Sequence, residues 1–439
     1  MHTIFIPYGA HEIVYLPNDV VLKKDEGLTK QSGILVTSDG AVTVQAYNDV
    51  HQRSMDGFLA LPTPALGTEY YVMAYNPWLQ SQLAVVATQD GTIIDIISST
   101  TFRFMTSTIV TDGQRIRVAV NRLQAVQLQC PECDFTGTRI VSNKPIAVMS
   151  GNRCASVPVG VSSCDHLVEQ LPPVRQWGKT FVAVPLMGRS QIAGNRFRIL
   201  AARYGTEVGV GANHVKLKPG EYHDFQLASN ETTLVVSNQP IMVAQFSSGF
   251  EADNITGDPS MTLVPPLEQR VRKAQFVTYN MTREKSKVDN YITIYANCDD
   301  FDDIELDGRQ ITTIPDASYQ PIELTYYCVS SLKISRQGLH MLTTRTNDTS
   351  FAAILYGFAA YNSFAHPAVM GLRDTLCTSI LPDNDTYEHN CDDRVIVIEM
   401  PCEEKPSVSP FLECDYSSCI RPGKLPKTID HNLSIVALK

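Results

Sequence analysis

The chain has 439 residues, of which 44% are apolar and 19% charged, so it can fold but is too long for one hydrophobic core. Its net charge of −10 argues against nucleic acid or an anionic membrane surface as a partner, because both require clustered Lys and Arg. No run approaches the ~18 apolar residues of a transmembrane helix, so the sequence predicts no membrane span.

The first residues do not resemble a secretory signal peptide. Met1–Tyr8 lacks a basic start, an apolar run and a small-residue cleavage site. The chain is therefore either cytosolic or an internal piece of a longer precursor. The cysteines and glycosylation motifs described below favour the precursor.

Short runs rich in Val, Ile, Thr, Tyr and Phe alternate with Gly, Pro, Asn and Asp turns, which predicts an all-β fold. Residues 1–62 match only the second half of a unit that is repeated further along. They contain a strand at Glu12–Leu16 and a closing hairpin at Ile34–Tyr47. A half unit exposes strand edges and an apolar face, so other strands must complete it.

Two sources of strands can complete the half unit. One is sequence upstream of this chain. The other is the C-terminal tail, of this chain or of a neighbouring copy, through Val395–Glu399 or Leu433–Leu438. A complete sheet around Glu12–Leu16 without a tail strand would exclude the second source.

Three full units follow, at residues 63–172, 173–265 and 266–372. Their closing segments are similar, as in Ile140–Asn152 and Val235–Ser247, and each is interpreted as a hairpin with a Ser-Asn turn. Proline pairs at the joints suit stiff junctions, because proline cannot extend a strand ladder. About seven strands in ~95 residues is the size of a β-sandwich, so tandem sandwiches of jelly-roll or immunoglobulin-like type are predicted.

Residues 373–439 form a Cys-rich extension in which Asp, Glu, Pro and Ser are frequent, and we expect it to be held by disulfides. The chain has 11 cysteines, so at least one thiol is free or pairs with another chain. The cysteines of this tail are Cys377, Cys391, Cys402, Cys414 and Cys419.

Two further pairings are expected in an oxidising compartment, Cys154 with Cys164 at a unit junction and Cys298 with Cys328 inside one unit. The alternative for Cys298 and Cys328 is two buried free thiols.

Cys130 and Cys133 have CxxC spacing. No second pair lies nearby, so zinc is disfavoured. The two pair with each other or each pairs elsewhere.

Asn-x-Ser/Thr motifs occur only from residue 230 onward. Together with the cysteines they favour a eukaryotic secreted glycoprotein. The acceptor candidates are Asn230, Asn254, Asn280, Asn347, Asn384 and Asn432.

Several segments along the chain carry a family resemblance: Gly33–Asp39, Leu66–Val72, Ala87–Thr92, Thr136–Gly151, Cys154, Cys164–Val174 and Trp177-Gly178. On these segments, about residues 12–370 resemble the N-terminal domain family of IgGFc-binding proteins, which occurs in mucin-associated and invertebrate extracellular glycoproteins. The tail after Arg373 departs from the family. The resemblance implies a non-enzymatic extracellular role in mucus, matrix or surface attachment, without establishing antibody binding.

Asp165, His166 and Glu169 lie close together, as in a metal or acid–base site. The equivalent junctions of the other units lack this set, so a structural junction tied by the Cys154–Cys164 disulfide is favoured. No G-x-S-x-G elbow, HExxH motif or phosphate loop is found, and no catalytic residue is predicted.

The segment Cys298–Gly308 is rich in acids. A solvated turn is favoured, with a weak calcium candidate and no other cofactor, because calcium prefers hard oxygen ligands. The candidate ligands are Asp299, Asp300, Asp302 and Asp303.

These features predict a secreted structural or adhesive glycoprotein that acts through repeated β units. The expected partners are extracellular proteins or glycans, with self-assembly by strand or disulfide exchange. The alternative is a lectin-like carbohydrate- or protein-binding module, with or without calcium, that uses exposed aromatics such as Trp78.

Overall fold

The computed structural model describes residues 2–17, 20–22, 27–50, 54–76, 79–104, 108–161, 163–189, 194–279, 287–323, 325–372, 395–399 and 432–438. Within these residues nearly all regular structure is β-strand, which confirms the predicted all-β fold.

Strand bounds are given in chain order. The first strands are β1 (His2–Phe5), β2 (His11–Tyr15), β3 (Gly27–Gln31), β4 (Leu35–Ser38), β5 (Thr43–Val50) and β6 (Ser54–Leu59). They are followed by β7 (Gly67–Tyr71), β8 (Ser81–Ala87), β9 (Thr92–Ile97), β10 (Phe102–Phe104), β11 (Thr108–Val110), β12 (Arg115–Val120), β13 (Gln124–Cys130), β14 (Arg139–Ala155) and β15 (Asp165–Leu171).

The next group is β16 (Gly178–Ala183), β17 (Asn195–Ala201), β18 (Thr206–Val210), β19 (Asn213–Leu217), β20 (Tyr222–Leu227), β21 (Thr233–Ser247) and β22 (Ser260–Leu263). The last strands before the tail are β23 (Lys273–Thr278), β24 (Asp289–Asn297), β25 (Ile304–Leu306), β26 (Arg309–Gln310), β27 (Ser318–Pro321), β28 (Tyr327–Ile334), β29 (Gly338–Thr344), β30 (Ala352–Ala359) and β31 (Asn362–Val369).

The tail supplies β32 (Val395–Glu399) and β33 (Asn432–Leu438). A short helix α1 spans Phe250–Asp253. Short 3-10 helices lie at Thr63–Ala65, Val174–Gln176, Leu267–Gln269, Cys298–Asp303 and Ile311–Thr313.

The described strands group into four units. Unit 2 holds β7–β15, unit 3 holds β16–β22 and unit 4 holds β23–β31, and unit 1 combines N-terminal strands with both tail strands. In unit 3, the long strand β21 pairs with β16 and β18 near its start and with β17 and β22 near its end. Phe197 of β17 and Val208 of β18 lie in one buried cluster, so the two sheets face each other as a sandwich.

The segments Ile140–Asn152 and Val235–Ser247 do not form hairpins, and that prediction was wrong. Each belongs to one continuous strand, β14 or β21, that passes from one sheet to the other. Pro145 and Pro240 lie at the transition, and because proline has no N–H, the ladder of the first sheet ends there. Ile34–Tyr47 is not a hairpin either, because β4 and β5 belong to different sheets.

Unit 1 is completed by the tail of the same chain. β32 lies between β1 and β4, and β33 lies between β2 and β5. This arrangement confirms the hypothesis that tail strands complete the half unit. β3 departs from the unit and extends a sheet of unit 2 by pairing with β13.

The units close into a ring around their last strands. β6 contacts β15, β15 contacts β22, β22 contacts β31, and β31 contacts β6 again. These strands carry the polar groups that hold the ring together.

Candidate functional site

The four central strands meet at the carboxylate of Asp56, which is fully buried. Its two oxygens accept the backbone N–H groups of Gly57 at 2.9 Å, Val168 at 3.1 Å, Met261 at 3.1 Å and Ala365 at 3.3 Å. One side chain therefore binds backbone from all four units. We call it the Asp56 hub.

The donors to the Asp56 hub occupy equivalent places in the repeat. Gly57, Val168 and Met261 each lie six residues before the first residue of their junction turn, at 63, 174 and 267. The repeated backbone thus brings equivalent N–H groups together at the centre, and the acid of one unit satisfies them.

Burial raises the pKa of Asp56 well above its usual range, and the four backbone N–H donors oppose that shift. A buried carboxylate without such partners would be strongly destabilising. Hydrogen bonds to a charged acceptor are about twice as strong as neutral ones, so the donors offset part of the loss of water.

The predicted cluster of unit 2 also binds neighbouring units. Asp165 Oδ1 accepts the Oγ–H of Ser54 and the backbone N–H of Met55 at 3.2 Å, both in unit 1. Glu169 accepts the N–H of Leu263 in unit 3 at 3.0 Å. Burial raises the pKa of Asp165 well above its usual range, and the nearby carboxylate of Asp258 adds to the shift.

His166 bridges units 1 and 2. Its Nδ1 lies 2.9 Å from the Asn152 carbonyl, which can only accept, so Nδ1 carries the proton of the neutral ring. Its Nε2 then accepts from Nδ2 of Asn48 at 2.9 Å. The predicted Asp-His-Glu group is therefore a junction in which each side chain contacts a different partner.

His366 closes the ring between units 4 and 1. The ring is fully buried, and Nε2 lies 3.1 Å from both the Tyr47 hydroxyl and Nε2 of Gln45. Gln45 Oε1 accepts the N–H of Val277 in unit 4 at 2.8 Å. Burial lowers the pKa of His366 to about 4, so the ring is neutral near pH 7.

Units 3 and 4 meet beside a buried ion pair. Arg189 donates to Asp253 at 2.8 Å, with both side chains fully buried, and its guanidinium lies 5.4 Å from the centre of the Phe358 ring. The backbone N–H of Asp258 donates to Ser363 of unit 4 at 2.8 Å. Burial raises the pKa of Asp258 to about 6, against the opposing effect of Arg189.

The junction turns are joined in series by glutamines. Nε2 of Gln176 donates to the carbonyl of Ala65 at 3.3 Å, and Nε2 of Gln269 donates to the carbonyl of Gln176. The N–H of Gly371 donates to the carbonyl of Gln269 at 2.9 Å. The proline-rich joints thus form a continuous hydrogen-bonded track across the units.

Comparison with known proteins gives the family. The family model described as IgGFc binding protein matches residues 56–357, from Asp56 to Gly357. The chain belongs to the IgGFc-binding protein family.

A human relative, "IgGFc-binding protein" of Homo sapiens, is 28% identical to this family member over 246 residues. That alignment covers 54% of the chain and 4% of the human protein, so the chain spans a small part of that relative. No solved structure matches the chain significantly.

The structure of this family member joins Cys154 to Cys164 with an S–S distance of 1.99 Å and Cys298 to Cys328 at 2.04 Å. Those are the pairs that the sequence favours. Cys130 and Cys133 are joined to each other, one of the two arrangements that the sequence leaves open. The tail cysteines Cys377, Cys391, Cys402, Cys414 and Cys419 lie outside the described residues.

The acids of the calcium candidate mostly contact protein donors. Asp303 accepts from Arg345 at 3.2 Å and from Thr346 at 3.1 Å, and Asp302 accepts from Thr312 at 2.9 Å. Asp300 accepts from Asn297, and Asp299 is solvent-exposed. Within the described part of the chain, no group of three or more His, Cys, Asp or Glu could hold a metal ion.

The glycosylation candidates Asn230, Asn254 and Asn347 are exposed. Asn432 is the first residue of β33. Asn280 and Asn384 lie outside the described residues, as does Trp78. The described residues contain no helix long and apolar enough to cross a membrane.

Asp56, His366 and the two junction glutamines were not predicted as site residues. Asp56 lies in the run Ser54–Pro62 (SMDGFLALP), where it is an isolated acid within an apolar strand. That isolation is the one signal in the sequence, because an acid in such a strand is expected to have buried partners.

Proposed function

We propose that this chain is part of a secreted, non-enzymatic structural or adhesive glycoprotein that binds extracellular proteins or glycans of mucus or matrix. The supporting observation is the Asp56 hub. The groups that carry acid–base chemistry in other proteins are sealed at the centre of the ring, where Asp56 and Asp165 have no exposed surface. Such a centre stabilises a scaffold and gives substrate no access.

Exposed aromatic side chains on the connecting segments support a binding role. Tyr204, Tyr326 and Tyr361 are 80%, 88% and 72% exposed. Tyrosine supplies a large contact area with little loss of conformational entropy and is frequent in recognition surfaces. Several such side chains on one scaffold provide multivalent contacts.

The name of the human relative states that it binds the Fc part of IgG. For this chain we propose the broader class, an extracellular glycoprotein partner. Secretion is supported by the disulfides, which persist in oxidising compartments.

Binding of the purified chain to immobilised mucus glycoprotein tests this function. We expect saturable binding that weakens at least tenfold when Tyr204, Tyr326 and Tyr361 are all replaced by Ser. Ile109→Ser is the matched control, because Ile109 is 58% exposed and lies in β11. Absence of binding, or turnover of the glycoprotein by the purified chain, would contradict the proposal.

The same assay separates protein recognition from the lectin-like alternative. Mild periodate oxidation of the immobilised glycans should leave binding intact if the polypeptide is recognised. Loss of binding after oxidation, together with loss in Trp78→Ala, would favour the lectin alternative.

A further inference from the structure

Unit 1 has two places that only the tail fills. Among the described residues, β1 pairs with β32 alone and β2 pairs with β33 alone. β32 and β33 therefore lie in the middle of their sheets, with β4 and β5 on their other sides. We call these two places the tail slots.

The tail slots border a hydrophobic core. Ile6, Val14, Leu16, Val20 and Ala46 form the buried cluster of unit 1. Removal of β32 and β33 would leave four strand edges unpaired and open the sheets around this cluster. Such edges bind another extended segment readily, because backbone N–H and C=O groups are left without partners.

The two tail strands follow each other along the chain in the opposite order to their counterparts in unit 3. In unit 3, β17 lies between β20 and the second half of β21, as β33 lies between β2 and β5. Likewise, β18 lies between β19 and the first half of β21, as β32 lies between β1 and β4. β17 precedes β18 in the chain, whereas β32 precedes β33 and residues 400–431 separate them. Each tail strand therefore reaches its slot separately, unlike the adjacent strands β17 and β18.

Ring closure also uses contacts outside the tail strands, although β33 itself contacts β23 of unit 4. Unit 1 contacts unit 4 through His366 and Tyr47, through Gln45 and Val277, and through a 3.0 Å hydrogen bond from Lys273 to Tyr8. None of these three contacts involves a tail residue, so the tail strands supply only part of the closure between units 1 and 4.

The chain before β32 is long enough to reach another molecule. Residues 373–394 connect Leu372, which packs with Leu61 and Leu66, to the first tail strand. At ~3.3 Å per residue, this connection extends up to about 70 Å. Docking within one copy and docking between two copies form the same backbone hydrogen bonds, so the concentration of the chain decides between them.

We propose that the tail strands of one copy dock into the tail slots of a second copy and link rings head to tail. The partner is thus a second copy of this chain, and the linkage is non-covalent strand exchange. This inference deepens the proposed structural role and rests on it for its biological meaning.

Site-specific cross-linking tests the exchange. Ile13 of β2 pairs with Val436 of β33. The variant I13C/V436C should close an internal disulfide, which appears as a cross-linked monomer on a non-reducing gel. In an equimolar mixture of the single variants I13C and V436C, a disulfide that joins positions 13 and 436 can form only between copies. The fraction of chains in this mixed dimer should increase about tenfold when the concentration is raised tenfold.

The matched control replaces Ala437, which pairs with Glu12 and whose position alternates to the opposite face of the strand. The I13C and A437C mixture should give no dimer above background. Failure of I13C/V436C to close internally would overturn the proposal, because the slot would not hold the tail. Internal closure without mixed dimer at any concentration would overturn it too. Neither failure affects binding to mucus glycoprotein, so the proposed function is tested separately.

Discussion

The carboxylate of Asp56 accepts the backbone N–H of Ala365 across 3.3 Å, although 309 positions separate the two residues. This contact joins β6 of the first unit to β31 of the last. The same carboxylate binds units 2 and 3, so one buried acid connects every unit of the ring.

Replacement of Asp56 by Asn tests its role as the hub. Each carboxylate oxygen accepts two N–H groups, and asparagine replaces one oxygen with an NH2 group, so two buried donors lose their acceptor. An unsatisfied buried donor costs about 1–3 kcal/mol, and we expect a free energy of unfolding about 2–4 kcal/mol lower in urea titrations. Asp39→Asn, at an exposed position, should stay within about 0.5 kcal/mol of the wild type. Equal stability of the two variants would contradict the hub.

Asp258 should make the ring less stable as the pH rises. Its pKa in the fold is about 6, above the ordinary 3.8, so its contribution to stability is complete below about pH 4 and is lost by about pH 6. The charged groups near it are Arg189, which opposes the shift, Glu251, which adds to it, and the buried carboxyl of Asp165. At about 1.4 kcal/mol per pKa unit, the expected loss is about 3 kcal/mol.

Asp258→Asn removes this titration. The free energy of unfolding of the variant minus that of the wild type should therefore increase from pH 4 to pH 7, as measured by chemical denaturation at both values. A stability difference that does not change with pH would show that Asp258 is not the titrating group.

His366 acts in the opposite direction. Its pKa in the fold is lowered from 6.5 to about 4, so its contribution is complete above about pH 6.5 and is lost as the pH falls to about 4. His366→Gln should therefore reduce the acid sensitivity of unfolding, whereas the exposed His214→Gln should not. An unchanged pH profile in His366→Gln would exclude the buried imidazole as the cause.

The two long-loop disulfides should stabilise the fold to different degrees. Replacement of both cysteines by serine opens a loop with a sequence separation of 10 for Cys154–Cys164 and of 30 for Cys298–Cys328. Loop entropy then predicts losses of about 2.7 and about 3.6 kcal/mol. Non-reducing peptide mapping checks the pairs, and free thiols at these four positions would refute them.

Some of this architecture can be predicted from the sequence because strand signals are local. The tail strands Val395–Glu399 and Asn432–Leu438 are recognisable as short apolar runs, and the incomplete repeat in residues 1–62 indicates where they dock. Their central position within each sheet could not be predicted, because strand order and register depend on partner strands hundreds of residues away.

The hub was missed for a related reason. The donors to Asp56 are backbone N–H groups, so Val168, Met261 and Ala365 carry no side-chain signal of their role. The hairpins predicted around Asn143 and Asn238 were wrong because Ser-Asn-x-Pro is also a transition between two sheets. Turn residues mark a break in a ladder without specifying whether the chain reverses.

Hydrogen–deuterium exchange measured by mass spectrometry tests the closed ring most directly. Peptides that contain Gly57, Val168, Met261 and Ala365 should all exchange slowly in the wild type and should all accelerate in Asp56→Asn. All four peptides are expected to respond, because the replaced oxygen leaves two of these amides without an acceptor and the other two share the same buried site. Fast exchange around Ala365 in the wild type, unchanged in the variant, would show that unit 4 does not close onto unit 1 and would contradict the account.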